Sequence, residues 1–131
     1  MGLLSKEQIW AAHDLRTVDV SVPEWGGEVR VKTLTGAERD QYEAESVKTN
    51  RGRREVNMSN MRARLIALCA VDEQGQLLFT RADVMKLGQK SAAALERVFE
   101  AAAKLNGMTD EDMEELAGNS ESGQNGSSTS D

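Results

Sequence analysis

Side chains able to take part in chemistry are few and scattered in this sequence. His13 is the single histidine and Cys69 the single cysteine. A histidine acts as base or metal ligand only when partners orient it, and a metal site needs several donors at matched spacing. His13 has no such company, so it reads as a polar residue at a helix end. A nucleophilic cysteine needs an electropositive niche that lowers its pKa. Cys69 instead lies between Leu68 and Ala70 on an apolar stripe, which assigns it to the core. Carboxylates gather at Asp110, Glu111, Asp112, Glu114 and Glu115, without the alternating D-x-D-x-D-G of a calcium loop. Pairing with the positive end of a helix dipole explains them. Asp72-Glu73-Gln74-Gly75 likewise reads as a turn. With no acid–base pair, metal cluster or phosphate loop in the sequence, no catalytic, cofactor-binding or metal-binding residue is assigned.

The remaining candidates concern binding. Lys48, Arg51, Arg53 and Arg54 form one basic run, but no aromatic is interleaved to stack on bases. The net charge of −6 repels phosphate backbones, so nucleic acid is not an expected partner. A solvated loop is the favoured reading of this run, with a salt-bridging dock for an acidic partner beside it. Trp25 stands next to two glycines at a hairpin tip, either folded back on the core or exposed as a binding anchor. Trp25, Val29, Val31, Phe79 and Phe99 are the large apolar groups proposed to meet a partner. No apolar run approaches the roughly 20 residues of a membrane span. No basic segment followed by a long apolar stretch marks a secretory signal, and a lone cysteine suits a reducing compartment.

The elements that position these groups follow from periodicity and caps. Ser5 caps a short helix over residues 5–12, whose apolar residues Ile9 and Trp10 either pack on the domain or await a partner. Val18, Val20 and Val22 alternate with polar residues, as do Val29 and Val31, so residues 17–22 and 28–34 form a hairpin. Pro23-Glu24-Trp25-Gly26-Gly27 is its turn. Thr35 and Glu38 form a capping box that starts a helix over residues 35–48, with Ala37, Tyr42, Ala44 and Val47 as a weak apolar stripe. A polar, mobile loop follows to Asn57. Residues 58–71 form a helix with Met61, Leu65, Leu68 and Cys69 on one face and Ile66 beside them. A short apolar strand over residues 76–79 precedes a helix capped by Thr80 and Asp83 and ended by Gly88. Ser91 caps the longest helix, whose face of Leu95, Val98, Phe99, Ala102 and Leu105 is core, with room to share part of it with a partner; Asn106-Gly107 stops it. Thr109 opens a last short helix with Met113 and Leu116. The sequence therefore predicts an α+β fold, an N-terminal β-hairpin packed with a bundle of about four to five helices. One domain spans residues 1–117, with residues 1–16 as an arm. Residues 118–131 hold no large apolar side chain and are expected to be a disordered polar tail.

Three segments occur together in an order that resembles the tail assembly chaperones of long-tailed bacteriophages and prophages. They are the hairpin with VPEWGG at its tip, the VRVKTLTGAERDQYE junction, and the stretch NMRARLIALCAVDEQGQLLFTRADVMKLGQKSAAALERVFEAAAKLNGMTDEDMEEL. The resemblance covers residues 18–116. It implies a non-enzymatic chaperone that binds the tape-measure protein, keeps it soluble and promotes assembly of the tail tube around it. It also implies dealings with the major tail-tube protein and with a longer, frameshifted form of the chain, and association into homo-oligomers. The expected location is the cytoplasm of the infected or lysogenic host, with the chain absent from the finished virion. A structural tail or head–tail joining component retained in the virion is the alternative.

Overall fold

The computed structural model describes residues 2–108 of the chain. The alternating valines form the expected hairpin. Strand β1 (Thr17–Val22) runs antiparallel to β2 (Gly27–Lys32), with Val18 opposite Val31 and Val20 opposite Val29. Residues directly opposite point to the same face. One face is therefore valine, and the other carries Thr17, Asp19 and Ser21 against Glu28, Arg30 and Lys32. Burial deepens along the valine face: Val18 is exposed, Val20 and Val29 are half-buried, and Val22 and Val31 are fully enclosed. On the polar face the Arg30 guanidinium grips Asp19, with Nε 2.7 Å from Oδ1. A two-residue strand β5 (Ala70–Val71) pairs with the far side of β2, so the sheet order is β1-β2-β5 and β1 lies at an edge.

Helix α5 (Ala92–Leu105) lies across β1 and β2 and against α3 (Met61–Cys69). Its buried side chains Ala94, Leu95, Val98 and Ala102 follow the expected helical spacing. The alanines let helix and sheet approach closely, which suits a chain with only 4% aromatic residues. Helix α3 differs from its expected single stripe. Ala63 and Ala67 are buried along with Met61, Leu65, Ile66 and Cys69, and Leu68 stays half-buried. A helix apolar around most of its circumference passes through the middle of a domain. Each fully enclosed Leu, Ile or Val contributes about 1.5–3 kcal/mol.

Helix α1 (Lys6–Ala11), helix α2 (Gly36–Glu45) and the turn before helix α4 (Val84–Leu87) begin at capping boxes: Ser5 with Gln8, Thr35 with Glu38, Thr80 with Asp83. Four expectations are corrected. Helix α2 stops at Glu45 and buries only Tyr42 of its proposed stripe. Residues 48–57 are no loose loop but a second hairpin, β3 (Val47–Asn50) with β4 (Arg53–Val56). Its two-residue turn places Arg51 and Gly52 at φ 58° and 81°, the left-handed pair that matches strand twist. Helix α3 ends at Cys69, because Ala70 swings to extended geometry and joins β2. Residues 76–79 supply only one bridge, Leu77 to Val71, after the turn at Gly75. Gly88 ends α4 at an ordinary φ of −64°; a Cβ there would sit 2.4 Å from Asn60 Oδ1, so a larger residue would require the Asn60 side chain to shift. The helix expected after Thr109 and the polar tail lie outside the described residues.

Candidate functional site

The five apolar residues proposed from sequence occupy different surroundings. Val31 is 0% exposed and closes the core under α5, so it cannot touch a partner while the fold is intact. Trp25 and Val29 are half-buried and pack on the same core. The turn holding Trp25 is tied to α5 by Arg97, whose Nε lies 2.9 Å from Glu24 Oε1. Phe99 is half-buried beneath the Arg62 guanidinium, 5.6 Å from its ring centre, and Arg62 also pairs with Glu96. Phe79 lines a sizeable open groove.

That groove has a volume of about 700 Å³. Its apolar floor and walls are Leu68 from α3, Leu77 and Phe79 from the connection, and Val84 and Met85 from α4. Helix α2 forms the opposite bank. Glu45 on that bank takes an ion pair from Arg81, Nη2 to Oε2 2.6 Å, which spans the groove's rim. Met85 is 72% exposed and Leu77 is also open to solvent. The groove exists because α3 ends early and the following residues do not continue the sheet, leaving Leu68 only half covered.

The second apolar surface is the arm. Helix α1 is properly capped: Ser5 N donates to Gln8 Oε1 at 2.8 Å, and Gln8 N donates to Ser5 Oγ at 3.1 Å. Yet it buries none of its residues. Leu3 and Trp10 are 102% and 74% exposed, and Leu4, Ile9 and Leu15 are exposed as well. The arm is anchored at its base, where Arg16 N donates to Thr33 Oγ1 at 3.1 Å and Thr33 N donates to the Arg16 carbonyl at 2.8 Å. A six-residue helix is marginal without packing. The sequence offered Ile9 and Trp10 as its apolar residues; the exposure of Leu3, Leu4, Leu77 and Met85 had no local signal, since an exposed Leu or Met looks like a buried one until its neighbours are placed.

Burial pushes the Cys69 thiol up to about 12, so it stays protonated and unreactive in the core. No cluster of three or more metal-ligating side chains occurs among the described residues. No helix among them is long and apolar enough to cross a membrane.

The described residues thus form a small α+β domain with an open apolar groove and an exposed apolar arm. The chain belongs to the phage tail assembly chaperone family, whose sequence profile matches residues 6–119. Among solved structures it is similar to the tail assembly chaperone of bacteriophage HK97, at 21% sequence identity and a TM-score of 0.55. That alignment covers 79% of this chain and 95% of the other, a likeness of fold. No curated protein matches the chain.

Proposed function

We propose that the chain binds the tape-measure protein of a phage tail, keeps it soluble, and yields it to tail-tube subunits as they polymerise. It does so in the cytoplasm of the infected or lysogenic bacterium and leaves before the virion is complete. A long amphipathic helix presents a bare apolar stripe, which aggregates unless covered. The observation that carries this reading is the groove of Leu68, Leu77, Phe79, Val84 and Met85, open beside helix α2. An apolar channel between helices takes the anchors of one helical face at spacings i, i+3 and i+7. The charge of −6 then adds repulsion between coated clients.

Co-expression tests it. The tape-measure protein should shift from the pellet to the soluble fraction and co-purify with the chain. Met85→Glu should abolish both effects while leaving the chaperone's own melting curve in place, because Met85 is 72% exposed and supports nothing in the core. A client that stays insoluble, with no complex recovered, sinks the reading. Mass spectrometry of purified particles should find the chain absent; stoichiometric presence would make it a structural part.

A further inference from the structure

The β3–β4 hairpin gathers positive charge that its own domain leaves unanswered. Elsewhere Arg30, Arg39, Arg62, Arg81 and Arg97 each hold a carboxylate. Lys48, Arg51 and Arg54 are exposed, and none of the three enters an ion pair among the described residues. The register sets Thr49 opposite Arg54 and Asn50 opposite Arg53, so Arg54 lies on one face, Lys48 and Arg53 on the other, and Arg51 in the turn. Only Glu55 offsets these cations within the hairpin, and two strands alone are marginal in water. We propose that this hairpin docks the chain's own acidic segment, residues 110–115, and that the docked segment covers the adjoining end of the groove until a client displaces it. The cover, but not the dock, rests on the groove being the client's seat.

Charge selects this occupant first. Residues 110–115 carry Asp110, Glu111, Asp112, Glu114 and Glu115 around a single apolar Met113, and no Lys or Arg occurs between residues 109 and 131. Reach agrees with charge. The Asn106 carbonyl accepts from Arg39, so α5 delivers the chain to the flank of α2, and α2 leads through Ser46 into β3. Val47 is eight residues past Arg39, a rise of about 12 Å along a helix. Residues 110–115 lie two to seven positions past Met108, and an extended chain covers up to about 23 Å over seven residues. The groove is continuous with the dock. Arg64 and Asn57 line it, and Arg64 bonds the Asn57 carbonyl at the hairpin's root.

A spin label on the full chain, without client, tests the dock. Cys69 is buried, so Ala117→Cys supplies the one accessible thiol. The label should broaden the amide signals of residues 48–54 far more than those of residues 24–26, which sit by Arg97 toward the other end of α5. Salt at about 1 M, where the screening length is roughly 3 Å, should remove the broadening. Lys48→Glu, Arg51→Glu and Arg54→Glu together should remove it as well. Adding Asp110→Lys, Glu111→Lys, Asp112→Lys, Glu114→Lys and Glu115→Lys to that triple variant should restore it, which separates lost attraction from a lost hairpin. Broadening that is even over the domain, that survives salt and the triple variant, or that the swap fails to restore overturns the dock. Labelled chain mixed with unlabelled, isotope-enriched chain should show none; broadening there places the contact between copies and overturns it too. The cover has its own readout. Exchanging the five carboxylates for Asn and Gln should tighten capture of the tape-measure protein by about fivefold or more. Unchanged capture overturns the cover and leaves the dock. A docked segment with no capture by either form counts against the client reading and leaves the dock standing.

Discussion

Asn106 joins three segments that are far apart in sequence. Its Nδ2 donates to the Ala102 carbonyl at 2.9 Å and to the Lys32 carbonyl at 3.4 Å, and its Oδ1 accepts from Leu34 N at 2.7 Å. Its own carbonyl accepts from Arg39 Nη1 at 3.2 Å. One side chain thus fastens the end of α5 to the end of β2, and its backbone fastens α5 to α2. Asn106→Ala leaves the Leu34 amide without this acceptor, so stability should fall by about 1–3 kcal/mol, read as a lower urea midpoint with an unchanged slope. In the sequence Asn106 was legible only as a helix stop, next to Gly107. Its bonds to residues more than seventy positions away follow from tertiary packing, which no local pattern encodes.

Arg64 braces the root of the β3–β4 hairpin. Arg64 on α3 donates from Nη2 to the Asn57 carbonyl at 2.6 Å, from Nη1 to Ser46 Oγ at 3.2 Å and from Nε to the Ser59 carbonyl at 3.2 Å. Its guanidinium also lies 5.6 Å from the centre of the Tyr42 ring. The Ser46 hydroxyl, fully buried, donates to the Tyr42 carbonyl at 2.7 Å, while the Ser46 carbonyl accepts from Asn57 N at 2.6 Å. Two strands alone are marginal in water, so the hairpin's order depends on this root. Arg64→Ala should raise amide hydrogen exchange across residues 47–56 far more than in α5. Arg64→Lys should not rescue it, because an ammonium cannot reproduce the planar fork. The first hairpin was legible because its valines alternate and its turn is rich in glycine. The second was not: VKTN and RREV carry no apolar alternation, and its turn puts an arginine at positive φ. The groove escaped the sequence for a related reason. The two residues that end α3 as a strand lie within an apolar run that fits a helix equally well.

Charge is unevenly shared over the whole molecule. Residues 109–131 hold seven carboxylates and no Lys or Arg, so the described domain is close to neutral and its ion pairs govern its response to acid. The Arg30 bond holds the Asp19 carboxyl below its usual range, as Arg97 does for Glu24 and the Thr80 amide for Asp83. Burial pushes Glu38 up, but its bonds from Lys32 and Thr35 outweigh that and leave it lowered too. Groups lowered in the fold lend stability above their ordinary values of 3.8 and 4.5, and lose it as pH falls through and below them. The melting temperature should therefore hold steady near neutrality and drop below about pH 4.5, with little further loss once all are protonated. The outer edge of β1 carries a different consequence. Its backbone is an open invitation to another strand, and a bare valine ribbon there would recruit copy after copy into fibres. Asp19, locked to Arg30, puts charge on that border. Replacing the two by valine should make a concentrated solution scatter light within hours, as uncharged borders zip together.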